Sequence, residues 1–267
     1  MSSAALTQSP AELPEVDHER RFGGIGRLYG EQALARLSAS RACVVGIGGV
    51  GSWAAEALAR SGVGSLTLID LDHVAESNIN RQAHALDSTL GQAKVQAMAE
   101  RIRGINPLCR VTMVEDFLTP ENAADLLAGF DVVIDAVDNV RAKVATAVHC
   151  RTQGIALVIA GGAGGKTDPT CIRVDDLSRT EQDPLLAKVR SQLRKDHGFP
   201  RDPRRKFAVE AVYSCEPLRF PVAACETGQA PQGLACAGYG SSMAMTASVG
   251  LFVAARALEH LLRAPMK

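Results

Sequence analysis

The 267-residue sequence holds no Cys-x-x-Cys pair, which removes the strongest sequence sign of a structural zinc. Its seven cysteines (Cys43, Cys109, Cys150, Cys171, Cys215, Cys225, Cys236) are odd in number and scattered, so no disulfide framework is implied and a reduced, cytoplasmic setting is expected. Net charge is absent too. The 29 Lys and Arg are matched by 29 Asp and Glu, so a polyanion has to be met by a local basic patch. The first ten residues lack the charged and apolar regions of a signal peptide. The longest apolar run, Met243 to Ala255, ends at Arg256 and is too short to cross a bilayer, so no membrane partner is expected. What remains, 46% hydrophobic and 22% charged, is the composition of a soluble globular protein of one or two domains.

Residues 1–17 mix Ser, Ala, Pro and acid without periodicity, which predicts a mobile arm. The fold signal begins at Arg41, where RACVVGI has the β-branched character of a buried strand. A glycine turn follows, then a helix from Ser52 to Arg60 with Trp53, Ala57 and Leu58 inward. Strands at 66–69, 111–114, 132–136 and 156–160 then alternate with helices at 92–105, 122–127 and 140–153. Such alternation specifies an α/β, doubly wound, Rossmann-like and mostly parallel sheet with helices on both faces. The pattern divides the chain into a nucleotide domain at 18–165 and a C-terminal region of the same fold at 166–267. The latter carries strands near 171–174 and 209–213, a charged helix at 183–197 and a last helix at 243–262.

Gly46-Ile47-Gly48-Gly49-Val50-Gly51-Ser52 contains G-x-G-x-x-G between a strand and a helix, the context in which backbone N–H groups reach a phosphate. Asp70 ends the next strand 19 residues after Gly51, where a carboxylate can hold ribose hydroxyls. Thus far NAD and ATP fit equally. Beyond Asp70 come Asp72, the Ser77–Gln82 loop with Asn78 and Arg81, then Lys94, and finally Asp138-Asn139 after the fourth strand. Arg81 and Lys94 supply fixed positive charge for phosphates, and Asp138 is placed to hold Mg²⁺. Taken singly, such an Arg or Lys is usually solvated surface and a strand-end Asp is often a helix cap. Their convergence at the carboxyl ends of parallel strands is the informative part.

The motifs GIGGVGS, LIDLD, SNINRQ, GQAK and DAVDN, in this order over about residues 18–165, resemble the nucleotide domain of the ubiquitin-activating-enzyme-like adenylating family. The resemblance implies ATP and Mg²⁺ as cofactors and adenylation of a carboxylate. It puts Gly46, Gly48, Gly49 and Gly51 in the phosphate turn, Asp70 on ribose, Asn78, Arg81 and Lys94 on phosphates, and Asp138 on magnesium, with Asp72, Gln82 and Asn139 beside them. Family members that act on ubiquitin-like tails carry R-Y-x-R-Q, whose second arginine reaches a partner's ATP. Here the stretch is Arg21-Phe22-Gly23-Gly24-Ile25, so Gly24 stands in the place of that second arginine, and Arg21, with Arg27 nearby, is left for a phosphate contact across a homodimer.

RFGGIGRLYG, GIGGVGSWAAEALARSG, INRQ, GGAGGKTDPT and QDPLLAKVR extend the similarity to nearly the whole chain. They resemble the family's tRNA-modifying branch, which activates a carboxylate carried on the adenosine beside the anticodon and releases AMP as a ring closes. The alternative, activation of a sulfur-carrier or ubiquitin-like protein, is disfavoured by the missing Cys-x-x-Cys pairs. A nicotinamide oxidoreductase is supported only by the glycine turn and Asp70. For the tRNA partner the sequence offers Arg201, Arg204, Arg205 and Lys206, four cations within six residues, against the plain reading of a solvated charged loop. Cys236, in a small-residue loop before the last helix, joins Arg81, Lys94 and Asp138 as a catalytic candidate. The turn Gly161–Lys166 signals close backbone approach to substrate or to a monovalent cation, Na⁺ or K⁺. Cysteine-desulfurase or sulfur-acceptor proteins are further partners left open by the resemblance.

Overall fold

The computed structural model describes residues 16–202, 204–219 and 239–263. Strands β1 (Arg41–Val45), β2 (Ser65–Ile69), β3 (Arg110–Val114), β4 (Val132–Asp135), β5 (Ala156–Ala160), β6 (Ile172–Asp176) and β7 (Glu210–Ser214) form one sheet in the order β3-β2-β1-β4-β5-β7-β6. Every pair is parallel except β6 with β7. Strand order reverses between β1 and β4, the switch point outside which open α/β sheets bind ligands. Val45 pairs with Ile69 on one side and Asp135 on the other, so Gly46, Asp70 and Ala136 leave the sheet side by side.

Eight helices flank the described sheet: α1 (His18–Tyr29), α2 (Ala33–Ala39), α3 (Gly51–Arg60), α4 (Lys94–Ile105), α5 (Ala123–Leu126), α6 (Val140–Gln153), α7 (Pro184–Asp196) and α8 (Met243–Arg263). Because side chains alternate along a strand, Val44, Leu68 and Ile134 pack against α3, α4 and α8, whereas Cys43, Val133 and Ile159 pack against α5, α6 and α7. Burial on both faces explains why the strands read as unbroken apolar runs.

Three expectations need correction. In α3 the fully enclosed apolar side chains are Ala54, Ala55, Leu58 and Ala59, while Trp53 and Ala57 are half-buried, Ala57 still packing against the core. The segment before Arg41 is helical from His18, with the Asp17 carboxylate accepting the Arg20 N–H at 2.8 Å as cap; Gly23, Gly24 and Gly26, poor helix formers, hide this in the sequence. Residues 1–15 of the expected arm lie outside the described residues. Finally, the apolar run at 243–255 continues as a 21-residue helix through inward Ala257, Leu258 and Leu261. By length and composition α8 could cross a membrane, yet 56% of its apolar window is buried in this fold, against α3 and the sheet. The 166–267 region contributes β6, β7 and α8 to the same sheet and core.

Candidate functional site

The glycine turn is built by necessity. Gly46 has φ +86°, and a Cβ on Gly51 would sit 1.8 Å from the Gly46 carbonyl oxygen, so only glycines let the chain fold back over the end of β1. Gly51 therefore lies beneath the turn, while Gly46, Gly48 and Gly49 line a cavity of about 1190 Å³ that opens at the switch point and runs along α6 and α7 to Gln153 and His197.

Asp70 anchors that turn. Its carboxylate accepts the Ile47 N–H at 2.6 Å and the Asp72 N–H at 2.9 Å. Burial pushes its carboxyl above the ordinary range, opposed by the Lys94 charge and these two N–H groups. Lys94 opens α4 with its ammonium 2.7 Å from the Asp72 carboxylate. Arg81 is strapped by its backbone, whose carbonyl accepts Trp53 Nε1–H at 2.9 Å; its guanidinium donates to Ser77 O at 2.6 Å and Asn80 Oδ1 at 2.9 Å. Asn80 in turn donates to Ser241 O at 2.9 Å, tying the loop to the entrance of α8.

Asp70, Asp72, Asn78, Arg81, Gln82, Lys94, Asp138 and Asn139 all line the same cavity. Two of them carry structural duties as well. Asn78 Oδ1 accepts the Ala75 N–H at 3.1 Å, and Asn139 Oδ1 caps α6 by accepting the Ala142 N–H at 3.1 Å. Gln82 is buried, with its Oε1 unpartnered among the described residues. Asp138 is exposed at the mouth, one residue before the α6 cap.

Three groups stand elsewhere. Arg21 donates to Ile105 O at 2.9 Å, at the far end of α4. A helix of that length puts it about 16 Å from the Lys94 end, so within one copy Arg21 does not join the pocket. Arg201, Arg204, Arg205 and Lys206 are exposed in the α7–β7 connection, at the amino ends of the strands, and form no ion pair among the described residues. Cys236 lies outside the described residues.

Gly161, Gly162 and Ala163 line the cavity beyond β5. Asp183 holds them: its carboxylate accepts the Gly162 N–H and, as the α7 cap, the Leu186 N–H, both at 2.9 Å. Burial pushes its carboxyl up. Nearby, the Lys166 ammonium donates to the carbonyls of Gln182, Ser214 and Glu216.

Sequence reasoning missed Thr246 and the Asp116–Glu121 loop of the cavity wall, and the Asp183 carboxylate that holds the Gly162 N–H behind it. It also missed a fully buried ion pair beneath the floor, Lys143 Nζ at 2.9 Å from Asp135 Oδ1. The signal was present as a carboxylate ending the apolar run VVID and a lysine eight residues on, but reading the strand through Ala136 drew attention to Asp138 instead.

A glycine turn at a switch point, with two cations and a strand-end carboxylate around one cavity, defines a nucleotide-binding α/β protein. The ThiF family model matches residues 24–267, and the chain belongs to that family. It is 51% identical over 92% of its length to a tRNA threonylcarbamoyladenosine dehydratase of Haemophilus influenzae, covering 95% of that protein. Among solved structures it resembles the Escherichia coli tRNA N6-threonylcarbamoyladenosine dehydratase in complex with ATP, with TM-score 0.84, 48% identity, and 93% and 97% of the two chains covered. The AMP complex of that E. coli enzyme matches with TM-score 0.83 and 48% identity over 94% of this chain and 98% of the other.

Proposed function

We propose that this protein is an ATP-dependent, ligase-type dehydratase that cyclises N6-threonylcarbamoyladenosine in tRNA. The observation that carries the reading is the convergence of the glycine turn, Asp70, Arg81, Lys94 and Asp138 on one cavity. From the switch point the cavity runs on along α6 and α7 to Gln153 and His197, beyond the nucleotide-binding groups.

In this reading a carboxylate oxygen of the threonyl group attacks the α-phosphorus of ATP and pyrophosphate leaves. Arg81 and Lys94 neutralise the phosphates. The carbamoyl nitrogen then attacks the acyl carbon, and AMP departs with the carboxylate oxygen while the nitrogen loses its proton. One water is thereby removed from the nucleoside. Carboxylate itself would have to expel oxide, whereas the acyl adenylate expels AMP; the nucleophile is tethered, so proximity supplies much of the remaining acceleration. Asp183 holds the Gly162 N–H of the cavity wall.

Asp138 fits Mg²⁺, which supplies charge neutralisation at the phosphates when bound. The Lys166 ammonium that follows the Gly161–Gly165 turn is held by the carbonyls of Gln182, Ser214 and Glu216, and no step is assigned to a Na⁺ or K⁺ at that turn. The exposed loop with Arg201, Arg204, Arg205 and Lys206 grips the tRNA body. Arg21 serves the site of a second copy in a homodimer. The setting is the cytoplasm, where tRNA and ATP are found. No sulfur enters the balanced reaction, so cysteine-desulfurase or sulfur-acceptor proteins have no chemical part in it. Cys236 is at most an aid to acyl transfer, because ring closure is intramolecular.

The test is incubation with ATP, Mg²⁺ and tRNA bearing the linear modification, followed by mass spectrometry of the nucleosides. The expected product lacks one water; an unchanged nucleoside with active ATP turnover would overturn the reading.

A further inference from the structure

The antiparallel register of β6 and β7 pairs Ile172 with Ser214, so the next position toward the cavity end sets Cys171 against Cys215. The backbone confirms the pairing, with the Cys215 N–H donating to Cys171 O at 3.0 Å. Directly opposed residues in an antiparallel ladder have Cα atoms about 4.5–5.5 Å apart, inside the span of about 4.4–6.8 Å that a disulfide bridges. Ile172 packs on the α3/α8 face of the sheet, and alternation puts both cysteines on the other face, where Cys215 packs. Both are half-buried free thiols. Burial and then the Asp168 carboxylate push the Cys171 thiol up, with the Cys215 side chain adjoining it.

The surroundings give the pair a consequence. The Glu216 carboxylate accepts the Thr167 N–H at 2.8 Å and the Asp168 N–H at 2.9 Å. Gly165 accepts from Arg219 N–H at 2.9 Å and donates to Gly240 O at 2.9 Å. Residues 165–171 are thus laced to 214–219, and Gly165 belongs to the turn whose first residues line the cavity.

We propose that Cys171 and Cys215 form a reversible dithiol–disulfide site, closed by oxidants of the peroxide or low-molecular-weight disulfide class, that staples the Gly165–Cys171 segment to the end of β7. With hydrogen peroxide, one thiol sulfur attacks the O–O bond to give a sulfenic acid and one water. The second thiol displaces a second water as the S–S bond forms, so two thiols and one peroxide give one disulfide and two waters. A dithiol reductant reverses the step by exchange.

The native full-length protein is treated with hydrogen peroxide or oxidised glutathione, its free thiols are alkylated, and the peptides are read by mass spectrometry without reduction. The expected result is a cross-linked peptide pair joining Cys171 to Cys215 with the loss of two hydrogens, absent from Cys171→Ser and Cys215→Ser and abolished by dithiothreitol. Full alkylation of both cysteines after oxidation, or their pairing with Cys225 or Cys236 instead, would overturn the proposal.

Discussion

The ammonium of Lys94 lies 2.7 Å from the Asp72 carboxylate at the cavity, with the lysine side chain 8% exposed and the aspartate 56%. The cation is held by the protein while its partner can turn to water, so an arriving phosphate can take the carboxylate's place. Lys94→Ala is expected to weaken ATP binding about 10- to 150-fold, the range for removal of a charged hydrogen bond. Calorimetric titration checks this. Lys188→Ala, on the exposed side of α7, provides the unaffected control.

Asp138 makes no hydrogen bond or ion pair with other described residues and is exposed at the cavity mouth. Asp138→Ala should therefore leave the melting temperature within about 1 °C of wild type, while AMP formation at saturating ATP and Mg²⁺ falls at least about 100-fold. Normal turnover in this variant would remove Asp138 from the magnesium role.

His84 sits buried with both ring nitrogens unpartnered among the described residues. Burial, with help from Lys94 and Arg101, holds its pKa down at about 4 against an ordinary 6.5. The unfolded chain takes up this proton first, so the stabilisation is complete above about pH 6.5 and is lost as pH falls toward 4, by roughly 3 kcal/mol over that window. His84→Leu should flatten the acid limb of a stability-against-pH curve measured by urea unfolding. Superimposable slopes for the two proteins would contradict the assignment.

Replacing Arg201, Arg204, Arg205 and Lys206 together by alanine should weaken tRNA binding and leave ATP affinity unchanged, because none of the four lines the cavity and their loop lies at the amino ends of the strands, away from the glycine turn. For every cation–phosphate pair removed, the slope of log affinity against log salt should fall by roughly 0.7 to 0.9. An unaltered slope would move the RNA grip to another surface.

Elements with strong local patterns were legible in the sequence. The helix at 140–153 and the strand at 156–160 agree with α6 and β5 to the residue, since a capping Asn139 and a Gly154 stop bracket the helix. The convergence of Asp70, Arg81, Lys94 and Asp138 on one cavity was legible because parallel topology brings strand ends together whatever their separation in sequence. Properties that depend on tertiary pairing were not. Nothing local tells that Asp72 pairs with Lys94, that Asn78 and Asn139 spend their side-chain oxygens on turns, or that Asp135 and Lys143 meet in the core. Arg21 illustrates the same limit, because its place in a motif says nothing of the end of the sheet to which α1 docks.

Carboxylate adenylation is tested most directly by an isotope. A tRNA substrate whose threonyl carboxylate carries ¹⁸O is cyclised in ordinary water with ATP and Mg²⁺, and the nucleotide products are weighed. If the carboxylate attacks the α-phosphorus and the ring nitrogen then expels AMP, the AMP carries one ¹⁸O and the pyrophosphate none. Label appearing in inorganic phosphate alongside ADP, or in solvent with unlabelled AMP, would contradict the account.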